Sequence, residues 1–413
     1  MDIDVSDINN KRVLVRVDYN VAIKDGRVAE PKRIDATMPT LKVLLDGNAK
    51  VILISHLGRP KGKKEPKYSM RPVVAALEAS LRSHKVAFGK VVFCDEAFAS
   101  PGLRATVAAL GPKDILLCEN LRYDAGEEAD DPALARNLAA LADIFVQDAF
   151  GAMHRAHAST DALPKMMKSV FGLLVTRELD VLGRLLREPK APFVAVLGGV
   201  KVSDKIGAID NLLKAGADKV LIGGAMSYTF LAAQGHTCGR SLVQKDWIEP
   251  VKKLLSVKGV ADKIVLCEDH VGIEGALDAS GAVPKGAVAV PVAGASIPAA
   301  ICALDIGPKT ITRFVAEIEK ANTIFWNGPM GLMEVAPFDR GSIAVAQAVA
   351  QRTKEGAKSV LGGGDTIYAV SKAGLKEDSF THVSTGGGAT IEFIEGKVLP
   401  GVRAVAGTPS AIS

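Results

Sequence analysis

Residues 197–205 read LGGVKVSDK and directly follow the apolar run FVAV at 193–196. Two glycines and two lysines after a strand-like run are the makings of a phosphate cradle. Glycine amides can approach an anion closely, a following helix N-terminus adds partial positive charge, and ammonium groups neutralise the ligand. The spacing is not G-x-x-x-x-G-K-[ST], so the P-loop form is excluded. The same punctuation recurs downstream. VLI (220–222) runs into Gly223-Gly224-Ala225-Met226, and TIFW (323–326) into Asn327-Gly328-Pro329-Met330-Gly331. SVL (359–361) runs into Gly362-Gly363-Gly364-Asp365-Thr366, and HVS (382–384) into Thr385-Gly386-Gly387-Gly388. Any one such turn could serve close strand–helix packing. A set of them on one sheet edge suits a nucleotide, whose base and polyphosphate both need open backbone. Asp365, opening a helix among these amides, is the kind of carboxylate that Mg2+ takes alongside its waters; alternatively it caps its own helix. Glu334 either meets a ribose hydroxyl or faces solvent.

The first half of the chain ends its apolar runs with cations and hydrogen-bonding groups instead. VLVRV (13–17) leads to Asp18-Tyr19-Asn20, and VILI (51–54) to Ser55-His56-Leu57-Gly58-Arg59. ILLC (115–118) leads to Glu119-Asn120-Leu121-Arg122, and IFV (144–146) to a stretch ending in His154-Arg155. Arg33 precedes the helical pattern at 38–49. Arginine forks pair bidentately with phosphate and carboxylate, so Arg33, Arg59, Arg122 and Arg155 at one sheet edge imply a bowl for a small, multiply charged anion. The neighbouring arginines disfavour protonated His56 and His154, which argues against either as a general acid. Neither has a carboxylate or cysteine at metal-ligand spacing.

These groups need a scaffold that brings strand ends together. Short Val/Ile-rich runs alternate with helix-period stretches such as IGAIDNLLKAGA (206–217), the pattern of parallel sheets covered on both faces. In open sheets of this kind ligands bind beyond the carboxyl ends of the strands. A chain of 413 residues, 48% apolar, exceeds what one core supports, since single cores stop growing at about 250–300 residues. The expected fold is therefore α/β, with two doubly wound parallel-sheet lobes joined by a helix; VTRELDVLGRLLREPKAP, stopped by Pro189, reads as that amphipathic connector. The net charge of +5 is spread along the chain, without the basic runs and interleaved aromatics of a nucleic-acid binder. The five cysteines form no C-x-x-C pair, which suits a reducing compartment. The uncharged run 286–304 is interrupted by Pro291 and Pro298 and is only weakly hydrophobic, so no membrane span is expected.

Taken in order, RVDYN, SHLGRP, ENLR, DAFGAMHRAHAS, LGGVKVSDK, GGAM, FWNGPMG, GGGDT and STGGGAT resemble the phosphoglycerate kinase family over essentially the whole chain. The resemblance implies a cytoplasmic, hinge-bending monomer that interconverts 1,3-bisphosphoglycerate plus ADP with 3-phosphoglycerate plus ATP. It implies a phosphoglycerate-binding domain over 1–168, a hinge helix over 169–190, a Mg-nucleotide domain over 191–397, and a tail over about 398–413 returning to the first domain. The implied substrate residues are Asp18, Tyr19, Asn20, Arg33, His56, Leu57, Gly58, Arg59, Arg122, His154 and Arg155. The implied nucleotide residues are Lys201, Lys205, Asn327, Glu334, Gly363, Gly364, Asp365 and Thr366, with Asp365 on Mg2+. Arg33, Lys201, Lys205, Gly387 and Gly388 are expected to steady the transferring phosphoryl group. Tyr19 stands where the family usually has Phe, Ala22 where it has Pro, and Val200 where it has Ala; Ile367 and Tyr368 are bulkier than usual. The nucleophile in the ATP-consuming direction is a carboxylate, ionised far below neutral pH, so no general base is needed. Two alternatives fit less well. A nicotinamide-dependent dehydrogenase needs G-x-G-x-x-G after the first strand, and an inactive phospholigand- or nucleic-acid-binding protein has no need to keep Lys205, Arg33 and Asp365 together.

Overall fold

Alternation along the first strand shows how the sequence builds its first layer. In β1 (Arg12–Val17) Val13, Val15 and Val17 enter one core with Leu41, Leu44, Leu77 and Leu81, while Leu14 enters another with Leu103, Leu134 and Leu138. A strand buried on both faces reads as a continuous apolar run. Arg16 shares the Leu14 face by the two-residue period and is only 1% exposed. A short hairpin, β2 (Ile23–Lys24) and β3 (Arg27–Val28), follows. Then come β4 (Lys50–Ile54), β5 (Val91–Cys94), β6 (Ile115–Cys118), β7 (Ile144–Asp148) and β8 (Ser169–Phe171). With β1 they form one parallel sheet in the order β5-β6-β4-β1-β7-β8.

The computed structural model describes residues 8–407. The chain divides into two units, Met1–Asp180 with Val398–Ser413, and Val181–Lys397. The connector differs from expectation at its start. Residues 169–171, assigned above to a hinge helix, are the edge strand β8, because Val170 and Phe171 pack along β7; the helix runs from Leu173 to Arg187. Its first turn is held by Thr40 Oγ1, which accepts from Leu173 N at 2.9 Å, and by Asp148 Oδ1, which accepts from Leu174 N at 3.1 Å. A buried carboxyl oxygen there accepts from one of the N–H groups that have no partner within the helix.

The second unit opens with β9 (Phe193–Leu197), β10 (Lys219–Ile222) and β11 (Ile264–Val265). An antiparallel sheet of β12 (His270–Glu274), β13 (Ala289–Val292) and β14 (Ile301–Ile306) intervenes, in the order β13-β12-β14. This sheet takes up the uncharged 286–304 run. Pro291 interrupts the pattern, yet β13 is an edge strand, where proline is tolerated. The chain then returns through β15 (Thr323–Asn327), β16 (Lys358–Gly362) and β17 (His382–Val383), completing a parallel sheet ordered β11-β10-β9-β15-β16-β17. Trp326, Phe314, Ile318, Val345 and Val349 fill one face of it. Helix Pro400–Ala406 belongs to the first unit, where Gly401 N donates to Met153 O at 3.0 Å. The end of the expected 398–413 tail, residues 408–413, lies outside the described residues. Among the described residues no helix is long and apolar enough to cross a membrane.

Candidate active site

In the first unit the loops leaving β1, β4 and β6 are laced together beyond the sheet. Tyr19 N donates to Ser55 Oγ at 2.9 Å, Leu121 N to Ser55 O at 2.9 Å, and Gly58 N to Asn20 Oδ1 at 2.9 Å. Arg122 Nη1 donates to Gly58 O at 2.8 Å, and its Nε lies 3.4 Å from Glu128 Oε1. Arg33, on the short helix Lys32–Asp35, pairs with Asp18. Burial would raise the Asp18 carboxyl, but the charges of Arg33 and Arg16 and the Asn20 N–H outweigh it and hold that group below its usual range. Arg122 is pushed down first by burial, against Glu128 and Glu127, and further by the charges of Arg155 and Arg59. Arg155 Nε donates to His154 Nε2 at 3.2 Å. The cations expected to share one sheet edge therefore feel one another's fields, and Arg59 and Arg155 keep exposed side chains.

Two of the expected substrate residues, Leu57 and Tyr19, have buried side chains. The Leu57 side chain lies in the core and its N–H is bonded to Asn120 Oδ1 at 3.2 Å. Tyr19 is fully buried. Thr37 Oγ1 donates to Ile34 O at 2.8 Å, so the Tyr19 hydroxyl, 2.8 Å from Thr37 Oγ1, is the donor of that pair. The chain thus spends its Tyr-for-Phe difference on bracing the helix that carries Arg33. The sequence also hid Arg16, whose Nη2 is 3.0 Å from His56 Nδ1.

In the second unit, strand order reverses direction at the β9/β15 pair, the topological switch point where such sheets open a crevice. The loops leaving these two strands meet there. Lys205 Nζ donates to Asn327 O at 3.0 Å and to the Asn327 side-chain oxygen, while Asn327 Nδ2 donates to Gly362 O at 2.6 Å. The approach is so close that a Cβ on Gly198 would collide with the Pro329 carbonyl. Burial pulls the Lys205 ammonium down to about 8, although Asp365 and Asp204 pull it up. Lys201 and Glu334 are exposed.

Gly363, at φ 92°, opens helix Gly364–Lys372 with no side-chain cap. Asp365 is therefore exposed one position inside the helix and not its cap. Thr366 is internal: its Oγ1 accepts from Gly328 N at 2.7 Å and donates to Gly362 O at 2.7 Å. Gly387, at φ 53°, precedes helix Gly388–Ile394. Among the described residues no three His, Cys, Asp or Glu side chains gather into a metal-holding group. An exposed carboxylate such as Asp365 beside backbone amides fits a Mg2+ that arrives with a nucleotide, since that cation takes one or two carboxylates and fills its other positions with phosphate oxygens and water.

Comparison with known proteins matches the chain to one family. The family model described as "Phosphoglycerate kinase" matches residues 3–397. The phosphoglycerate kinase of Chloroflexus aurantiacus is 47% identical over 396 residues, 96% of each chain. That of Thermus thermophilus is 46% identical over 405 residues, 97% of this chain and 98% of the relative. Among solved structures, phosphoglycerate kinase from Coxiella burnetii superposes with a TM-score of 0.81 at 36% identity, covering 96% of both chains. The enzyme from Pyrococcus horikoshii gives 0.80 at 29% identity, covering 97% of this chain and 96% of the other. A model matching nearly the whole length and relatives of such identity lead to one conclusion: the chain belongs to the phosphoglycerate kinase family.

Proposed function

We propose that the two units divide one reaction between them, phosphoglycerate on the first and Mg-nucleotide on the second. The reaction itself follows from family membership. The chain is a glycolytic phosphotransferase with a carboxyl acceptor, moving a phosphoryl group between 1,3-bisphosphoglycerate and ADP, and the comparisons lend no support to a dehydrogenase or an inactive binding protein. The observation that carries the division is the contrast in strand ends. Arg33, His56, Arg59, Arg122, His154 and Arg155 follow strands of the first sheet or adjoin them. Lys201, Lys205, Asn327 and glycine amides follow strands of the second.

In this proposal Arg59, Arg122, His154 and Arg155 grip the phosphate that does not react, and Asn20, Arg33 and His56 orient the carboxylate end, with Asp18 holding Arg33. Lys205 leaves Asn327 for the nucleotide's terminal phosphates, and Lys201 and the Gly387 and Gly388 amides add positive potential along the path of transfer. Asp365 would hold Mg2+, which when bound neutralises phosphate charge. Gly363, Gly364, Thr366 and Glu334 border the nucleotide. In-line transfer requires the two ligands to meet, so the phosphoglycerate and nucleotide domains must close about the connecting helix, which also excludes water. We propose that the enzyme acts as a cytoplasmic monomer, as the family resemblance implies.

The test is acyl-phosphate production from 3-phosphoglycerate and Mg-ATP, trapped as hydroxamate, with Lys205→Ala as control. Hydroxamate that needs both substrates and Lys205 supports the assignment. Equal yield from the variant overturns the role of Lys205.

A further inference from the structure

β1 buries one ionic side chain, and every nitrogen of it is engaged. Arg16 Nε donates to Ser159 Oγ at 2.9 Å, Nη1 to Val17 O at 2.5 Å, and Nη2 meets His56 Nδ1 at 3.0 Å. Glu127, fully buried, lies 3.9 Å from Nη2 and accepts from Ser159 Oγ at 2.6 Å and Ser159 N at 2.9 Å. A buried ion pair is a weak source of stability, and an apolar replacement often does as well. What the pair does supply is direction. A guanidinium has five donors, no acceptor, and keeps its proton. The imidazole nitrogen it meets must therefore present a lone pair, which leaves the ring's single proton on Nε2, the nitrogen across the ring from Arg16.

We propose that Arg16 is a positioning residue that locks His56 as the Nε2–H tautomer, so that His56 meets the phosphoglycerate as a neutral hydrogen-bond donor and never as an acceptor. The role rests on the assignment of His56 to the phosphoglycerate site. The cations facing the ring fit it, and the one opposing group is Asp18. Burial, Arg16, Arg122 and Arg33 together hold His56 well below its ordinary value, against the opposing pull of Asp18. A donor of this kind recognises an oxyanion throughout the neutral pH range and takes no proton from it. His157, with Nδ1 also 3.9 Å from Glu127 Oε1, is likewise pushed down to about 4, by burial first and then by Arg122, Arg16, Arg155 and His154. No second imidazolium competes for the Glu127 charge at neutral pH.

The experiment is 15N NMR of the histidine rings in the whole protein, with His56 assigned by comparison with His56→Gln. Long-range ring correlations should show His56 as Nε2–H, unchanged from pH 6 to pH 8. Addition of 3-phosphoglycerate should move the Nε2 signal. In Arg16→Lys, Nδ1–H should appear, and KM for 3-phosphoglycerate should rise about tenfold with kcat little changed, the loss of one hydrogen bond to a charged ligand. His56→Asn, whose amide falls near Nδ1, should raise KM about tenfold above His56→Gln, whose amide reaches the Nε2 position. An Nδ1–H ring or a titrating ring in the wild type overturns the proposal, whether or not Arg16→Lys folds. A ring that is Nε2–H but indifferent to 3-phosphoglycerate removes His56 from the site and overturns the donor role by that separate route.

Discussion

Replacing Lys205 with methionine should make the ligand-free protein more stable and nearly inactive. Methionine fills much of the same space without the charge. Burial lowers the Lys205 ammonium from 10.5 to about 8, with Asp365 and Asp204 opposing. At 1.36 kcal/mol per pK unit, keeping the proton in the folded chain costs about 3 kcal/mol. The unfolded chain binds this proton more tightly, so the penalty is full below the folded value of about 8 and fades as pH rises toward 10.5. Losing the bonds to Asn327 returns about 1 kcal/mol, leaving a net gain of roughly 2 kcal/mol at pH 7. In a domain of 150–250 residues that corresponds to a Tm rise of about 4–8 °C. Turnover should fall roughly 10²–10³-fold, as when one preorganised donor to a developing charge is removed. Calorimetric melts of both proteins without ligand, at pH 7 and pH 9.5, paired with the hydroxamate assay, check each half. The Tm gap should narrow at the higher pH. A methionine variant that melts lower at pH 7, or a gap indifferent to pH, would refute the buried-charge account of Lys205.

Other substitutions separate the remaining roles. Arg33→Ala should lower kcat by roughly 10²–10³, because Arg33 is assigned to the reacting end; near-normal turnover would sink that role. Arg122→Ala should chiefly raise KM for 3-phosphoglycerate in steady-state assays, and a rise confined to ATP would place it on the wrong ligand. Asp148, raised to about 7 by burial against hydrogen bonds from Thr40, Val175 and Leu174, favours its protonated form in the folded state. Stability should therefore fall as pH rises from about 4 toward 7 through this group, and Asp148→Asn should flatten that slope in melting curves; an unchanged slope would mean the carboxylate is ionised throughout.

The strand ends were legible because their chemistry is local. Gly198-Gly199 or Gly362-Gly363-Gly364 after a Val/Ile run states both the turn and its open backbone, and Arg122 or Arg155 after such a run states a cation at the sheet edge. Arg16 was not legible. Inside VLVRV a lone charge reads as noise in an apolar run, and the partners that explain it, Ser159 and Glu127, stand 143 and 111 positions away. That the Leu57 and Tyr19 side chains are buried was not legible either, because the packing that covers them comes from elements distant in the sequence. β8 was absorbed into the helical pattern since three residues cannot display a period. The β12–β14 sheet escaped because Pro291 and the glycines of its loops dilute the alternation that marks a strand.

The helix Pro400–Ala406, seated against Met153, has a consequence for how the protein is made. It follows the whole of the second unit in sequence yet belongs to the first. Domains ordinarily fold in the order they leave the ribosome. Here the unit that emerges first must wait with the surface around Met153 uncovered until the second has been synthesised. The later unit needs nothing further to finish, so the nascent chain completes itself back to front, and the earlier unit is the one exposed to chaperones and proteases in the interval.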